Sequence, residues 1–302
     1  MTDTTGSETR PPAASRPAHH APERVGVLGG GRMGAGIAHA FLLAGSHVTV
    51  VERDDVAAEA ARTRVLDSVA ASVARGTTGE TAEALGARLA VATDVDGFGG
   101  AGLVVEAVPE DLDLKLDALT RVEAVLAADA ALASNTSSIS IDELAGRLER
   151  PKRFLGLHFF NPVPASALVE VVRGTQTDGA LVEEARGWVQ AIAKTPIIVH
   201  DAPGFASSRL GVALGLEAIR MLEEGVASAE DIDAAMTLGY KHPVGPLKLT
   251  DLVGLDVRLG IAEYLAGELG DRFEPPALLR RMVAEGKLGR KTGEGFYLWD
   301  AQ

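Results

Sequence analysis

The segment Gly29-Gly30-Gly31-Arg32-Met33-Gly34 constrains this chain more than any other. It follows a short apolar run, Val25-Gly26-Val27-Leu28, and opens a helix-like stretch from Ala35 to Ala44. The pattern is G-x-G-x-x-G between a strand and a helix. In it Gly29 permits the tight turn, Gly31 lets the backbone approach a pyrophosphate, and Gly34 lets the helix pack close to the strand. The free N–H groups at the helix start then face the anion. In a chain with 34 glycines the bare pattern would be weak. Here a second strand, His47-Val48-Thr49-Val50-Val51, follows and ends in Glu52. An acid about 20 residues after the glycines stands where it can accept both ribose hydroxyls of an adenosine. The stretch therefore predicts a dinucleotide site; an ordinary glycine turn leaves Glu52 unexplained. Arg53 could meet a 2′-phosphate, but Glu52 would repel one, which favours NAD over NADP.

Strand-like apolar runs alternate with helical spacing from Arg24 to about His200. After the first two strands come a helical stretch through Arg75 and a second through Leu89. Residues 103–108 read as a buried strand. Leu112, Leu116, Leu119, Val122 and Leu126 then have helical spacing. Residues 131–134 are a short strand, and Ser140 with Glu143 forms a capping box. Residues 154–160 and 168–172 read as strands, and a helix over 179–193 leads to Ile197-Ile198-Val199. Such alternation implies right-handed crossovers. The expected class is α/β, with a Rossmann-type, doubly wound, mostly parallel sheet over residues 23–202. Beyond Asp201-Ala202-Pro203-Gly204 only helical patterns remain, over 205–224, 229–238, 250–269 and 276–285. Residues 203–302 are expected to form an all-α C-terminal domain that serves the substrate and a homodimer interface.

The chain has 302 residues, 46% of them hydrophobic, enough for two domains with sizeable cores. It has no cysteine, which excludes thiol nucleophiles, disulfides and thiolate metal sites. No run approaches the ~18 apolar residues of a membrane helix. The first 22 residues, with four prolines, lack a signal-peptide core and read as a disordered tail in which His19 and His20 are inert. A cytoplasmic location is expected. A net charge of −13 argues against nucleic acid or an anionic membrane as partner. His39, His200 and His242 are expected to be structural, and no metal is expected, because no two histidines sit at ligand spacing near an acid.

A second group of residues carries chemistry. Gly156-Leu157-His158-Phe159-Phe160-Asn161-Pro162 ends a strand in a Pro-rich turn, and Glu170 follows His158 by twelve positions amid branched aliphatics. An acid there costs free energy unless it has a partner. A strand–turn–strand of this length can set the two side by side. A carboxylate on one imidazole nitrogen fixes the tautomer and leaves the other nitrogen a competent base near neutral pH. On spacing alone, a core histidine satisfied by a glutamate is an equal reading. Upstream, Ser134-Asn135-Thr136-Ser137-Ser138 follows a strand end, where such sheets bind ligands; helix capping is the plainer reading.

Taken in order, several motifs resemble the L-3-hydroxyacyl-CoA dehydrogenase family. They are Gly29-x-Gly31-x-Met33-Gly34, Val105 to Glu110, Ser134 to Ser138, His158 to Pro162, Asp201-x-Pro203-Gly204-Phe205, His242 to Leu247, and Leu288 to Tyr297. They span everything after the tail, and the segment at His158 is the most specific. The resemblance implies that His158 is the base, that Glu170 orients it, and that Ser137 holds the substrate hydroxyl. It implies cofactor contacts at Met33, Glu110, Lys115, Asn135, Asn161 and Lys291, and coenzyme A contacts at Ser68 and Arg75. The sequence departs from the family pattern at Ser208, where an asparagine is usual beside the reacting oxygen, and at Ser166-Ala167, where a Met-Lys pair is frequent. The implied reaction is NAD-dependent oxidation of an L-3-hydroxyacyl thioester, most simply a short-chain acyl-CoA. Two rivals stand beside it: a polar hydroxyacyl group on an acyl carrier protein, and a non-catalytic nucleotide-binding structural or sensor protein.

Overall fold

A computed structural model describes residues 20–300. The tail expectation and His19 lie almost wholly outside the described residues, and His20 is exposed. Eight strands form one sheet: β1 (Arg24–Leu28), β2 (His47–Val51), β3 (Leu89–Ala92), β4 (Leu103–Glu106), β5 (Ala131–Ser134), β6 (Phe154–Phe159), β7 (Leu168–Arg173) and β8 (Thr195–His200). Their order is β3-β2-β1-β4-β5-β6-β7-β8. β1 to β6 run parallel; β7 is antiparallel to β6, and β8 is parallel to β7. Covering helices are α1 (Arg32–Leu43), α2 (Asp55–Ala74), α3 (Ala82–Gly86), α4 (Leu112–Val125), α5 (Ile141–Ala145) and α6 (Gly179–Ala191). α1, α2 and α6 bury one face of the sheet; α4 and α5 bury the other. Strands covered on both sides read as unbroken apolar runs, which is why β4, β5 and β6 are buried along their whole length.

One expectation is corrected here. The helical stretch expected through Leu89 ends at Gly86, and Leu89–Ala92 pairs with β2 as a strand. Four residues are too few for their periodicity to separate strand from helix, so the free edge of β2 decides.

The remaining chain is helical: α7 (Ser207–Glu223), α8 (Ala229–Ala234), α9 (Pro246–Val253), α10 (Leu255–Leu269) and α11 (Ala277–Ala284). They share a core that includes Val212, Leu216, Ile219, Leu247, Leu255, Leu265 and Leu279. The single helix expected over 250–269 is two helices. Gly254, at φ +108°, breaks it, while both halves bury side chains in the same cluster, so the apolar spacing runs across the break. The stretch expected as helix to 238 turns π-helical at Ala235–Gly239. Two buried aspartates tie the unit together. Asp233 accepts the N–H groups of Leu247 and Lys248 and the hydroxyl of Tyr297. Asp251 accepts the N–H groups of Phe296 and Tyr297 and the indole N–H of Trp299. Beyond residue 200, two isolated bridges, Gly289–Glu294 and Glu294–Leu298, are the only β pairing among the described residues. No described helix is long and apolar enough to cross a membrane.

Candidate active site

The sheet brings the predicted groups to one edge. Leu28 pairs with Glu106, Glu106 with Ser134, and Ser134 with Gly156. The carboxyl ends of β1, β4, β5 and β6 therefore finish side by side. The glycine turn, the loop to Glu110, the segment Asn135–Ser138 and His158 all emerge there, where open α/β sheets hold ligands.

At the glycine turn, Gly29 has φ +90° and a Cβ on Gly34 would lie 1.8 Å from the carbonyl oxygen of Gly29, so neither position admits a side chain. A Cβ on Gly31 would meet nothing within 4 Å, so space stands open over the start of α1. The other helices on the sheet are capped by side chains, Asp54, Thr81, Asp111, Ser140 and Asp178 for α2 to α6. α1 alone among them has no capping side chain and no acid in its first turn. Its first N–H groups are left for a ligand anion. Glu52 leans over this turn, with Oε1 accepting the N–H of Gly30 at 2.7 Å. Arg53 points away to Asp54, which caps α2. Beyond Glu52 a cleft of about 530 Å³ opens between the first turns of α2 and the end of β3. These features fit a dinucleotide. Met33 is half-buried against the core.

Glu110 gathers the polar segment. Its Oε1 accepts the hydroxyl of Thr136 (2.7 Å), the N–H of Ser137 (2.8 Å), and the N–H and hydroxyl of Ser138 (both 2.9 Å). Burial pushes the Glu110 pKa up, but the Lys115 charge and these bonds outweigh it and hold it below its ordinary value. Lys115, expected to touch the cofactor, lies beside Glu110 at this edge. It is 1% exposed; its Nζ donates to Glu106 (2.7 Å) and to the carbonyl of Val108 (3.2 Å), and it forms an ion pair with Glu110 at 3.3 Å. Glu106 is fully buried and also accepts the N–H of Val108 and the hydroxyl of Ser134. Such a pair is costly to break from one side, because the other charge is stranded.

His158 and Glu170 face each other across the one antiparallel pairing next to the parallel strands. Nδ1 of His158 lies 2.7 Å from Oε2 of Glu170, and both side chains are buried. An ionised carboxylate only accepts, so Nδ1 carries the proton and Nε2 is the free acceptor. The rings of Phe160 and Phe205 stand 4.5 and 5.7 Å from the imidazole. Glu170 has further partners that the sequence reading missed. The N–H groups of Ala206 (3.2 Å) and Ser207 (2.9 Å) donate to Oε1, and the Ser207 hydroxyl donates to Oε2 at 2.8 Å. The start of α7 has no cap of its own, and this strand carboxylate supplies it. Gly204 (φ +72°) and Phe205 (φ +48°) make the turn that aims those groups. Burial pushes the Glu170 pKa up, yet the bonds from His158 and Ser207 prevail and hold it below its ordinary value. No sequence spacing announces that a helix start will meet this acid.

The other predicted positions fall as follows. The side-chain oxygen of Asn135 accepts the N–H of Phe159 at 2.9 Å, locking the strand beside His158. Ser137 is half-exposed over Glu110, Asn161 is exposed after the strand, and Ser208 follows Ser207 in the first turn of α7. Lys291 is paired with Asp256 in the helical unit, at 2.5 Å. Ser68 donates to the carbonyl of Arg64 on α2, and Arg75 is exposed at the end of that helix. His39 is buried, with Nε2 2.9 Å from the Ser72 hydroxyl; burial, then the charges of Arg75 and Lys194, hold its pKa below the usual value. Among the described residues no group of His, Asp and Glu is arranged to hold a metal ion.

Comparison with known proteins shows the family. Residues 24–202 match the family described as 3-hydroxyacyl-CoA dehydrogenase, NAD binding domain, and residues 204–299 match 3-hydroxyacyl-CoA dehydrogenase, C-terminal domain. The 3-hydroxybutyryl-CoA dehydrogenase of Mycobacterium tuberculosis is 43% identical over 282 residues, covering 92% of this chain and 98% of that protein. The crystal structure of M. tuberculosis FadB2 superposes with a TM-score of 0.87 at 42% identity, over 92% of this chain and 99% of that one. That of (S)-3-hydroxybutyryl-CoA dehydrogenase PaaH1 from Ralstonia eutropha gives 0.88 at 40% identity, over 93% and 100%.

Proposed function

The chain belongs to the 3-hydroxyacyl-CoA dehydrogenase family, and on that premise we propose that His158 and Glu170 are the base and its brace in the reaction. The reaction is NAD-dependent oxidation of a 3-hydroxyacyl-CoA to the 3-oxoacyl-CoA, with a short acyl chain. NAD, when bound, accepts the hydride from C3. The protein does the rest. Nε2 of His158 takes the hydroxyl proton, and Glu170 stabilises the imidazolium that results. Phe160 and Phe205 keep water from the ring, so this attraction acts at low dielectric. Ser137 and Ser208 hold the reacting oxygen. The open start of α1 takes the pyrophosphate, Glu52 the adenosine ribose, and Glu110, Asn135, Asn161 and Lys291 the nicotinamide half. Ser68 and Arg75 on α2 hold the coenzyme A tail.

The observation that carries this reading is the 2.7 Å contact between Nδ1 of His158 and Glu170, at the sheet edge that also holds the glycine turn. General acid–base help of this kind is worth about 10²–10⁴ in rate. His158→Ala therefore lowers turnover by at least about a hundredfold, while NAD binding survives. Near-normal turnover removes His158 from the mechanism.

Residues 203–302 are proposed as the unit that completes the substrate cleft and joins two copies. Leu210, Leu238 and Tyr240 are 71%, 72% and 75% exposed there, large apolar side chains that a second copy would cover. Light scattering on the purified protein tests this; a monomer at working concentration rules it out.

A further inference from the structure

The helical unit holds a buried cation that nothing above uses. Among the described residues, buried His39, Lys115 and His158 each have a polar partner, whereas Arg258 on α10 has none. It is 5% exposed, and its Nε is sealed from solvent without an acceptor. Burial drags its pKa down to about 10, with no carboxylate close enough to hold it up. A buried charge of this kind calls for a counter-ion.

The side chain has a direction. A Cβ built on Gly215 would lie 3.7 Å from Nε and 3.9 Å from Cζ, and one on Gly211 would lie 3.5 Å from Nη1. The guanidinium thus runs along α7 from Gly215 towards Gly211, head foremost towards the helix start. Nothing else outside the helix comes within 4 Å of the Gly211 point. Gly211 lies one turn, about 6 Å along the axis, from Ser207, which holds Glu170. Ser207, Ser208 and Gly211 are partly exposed and carry no bulk. A strip of small residues therefore leads from the imidazole brace to an unpaired guanidinium.

We propose that Arg258 receives a carboxylate at the far end of the acyl group, which makes thioesters of short dicarboxylic 3-hydroxy acids the preferred substrates. This rests on the dehydrogenase reading given above. The planar fork of arginine suits a carboxylate bidentately. An uncharged chain end at the same place leaves the guanidinium unpaired, and sites built to pair a polar group discriminate strongly against analogues that lack it.

The test compares 3-hydroxyadipyl-CoA with 3-hydroxyhexanoyl-CoA, which have the same carbon count and differ at the chain end. The full-length enzyme should favour the dicarboxylic substrate at least about tenfold in kcat/KM. In Arg258→Met that ratio should collapse to near unity, and Arg258→Lys should keep part of it, as a point charge without the fork. Equal kcat/KM for the two substrates in the unaltered enzyme overturns the proposal while leaving the dehydrogenase reading intact. Activity on neither overturns both. An Arg258→Met enzyme that loses both substrates in equal proportion, or that dissociates into smaller species, assigns the guanidinium to the fold or to a subunit contact and also overturns it. Should that variant not fold, the ratio in the unaltered enzyme still decides.

Discussion

Replacing Glu170 with glutamine removes one charge and keeps the shape, and its consequence follows from the four hydrogen bonds on that carboxylate. Two are the N–H groups at the start of α7, which can only donate. The amide oxygen of glutamine must stay with them, because an unpaired buried N–H costs about 1–3 kcal/mol. The amide NH2 then occupies the place of Oε2, facing Nδ1 of His158. Two donors cannot share that gap, so the imidazole changes tautomer. Nδ1 becomes the acceptor and Nε2 carries the proton. A nitrogen that already holds a proton cannot take one from the substrate hydroxyl, and no carboxylate remains to stabilise the imidazolium. Turnover of Glu170→Gln should fall by about 10²–10⁴, equivalent to about 3–5 kcal/mol of barrier. The helix start loses its charged cap, so stability should also drop, by about 1–2 kcal/mol. Steady-state kinetics with NAD and 3-hydroxybutyryl-CoA, beside NAD binding and a thermal melt, separate the two effects. The double variant with His158→Ala should be no slower than His158→Ala alone, because the two residues act as one device. Turnover of Glu170→Gln within fivefold of normal would refute the argument.

Other outcomes are equally specific. Glu52→Gln should weaken NAD binding and narrow the preference for NAD over NADP at least about tenfold, since the charge that repels a 2′-phosphate is gone; an unchanged preference places discrimination elsewhere. Folded-state stability should decline as pH falls below about 6.5, because His39 is held below its ordinary pKa and the unfolded chain takes up the proton first. His39→Gln should flatten the melting temperature between pH 6.5 and 5, and leave the steeper loss at lower pH, where Glu110 and Glu170, both held low, must protonate. Gly34→Ala should abolish NAD binding or folding, given the 1.8 Å approach of its Cβ to the Gly29 oxygen; a soluble variant with normal affinity contradicts the turn geometry.

Much of this arrangement is legible in the residues because it depends on local rules. The glycine turn needs three positions without side chains, and the acid after β2 sits at a fixed distance along the chain. His158 and Glu170 are separated by one hairpin, so a short-range pattern brings them together. What escaped depends on long-range packing. β3 is a strand because β2 offers an edge, and its own four residues do not say so. Gly254 divides α9 from α10 without interrupting the apolar spacing. Lys115 is drawn into the core by Glu106, nine positions back, a pairing that no local pattern announces. Ser207 meets Glu170 only because α7 begins against β7, and Arg258 meets the glycine strip of α7 only after the helical unit has assembled.

The cross-strand seating of His158 opposite Glu170 has an evolutionary corollary. Their alignment is maintained by ladder bonds between β6 and β7, and residues 162–167 complete the connection between the two strands beyond Phe160 and Asn161. Exchanges in that connection leave the proton-handling couple where it is. Sequence change can therefore accumulate there, as at Ser166 and Ala167, without parting the imidazole from its carboxylate.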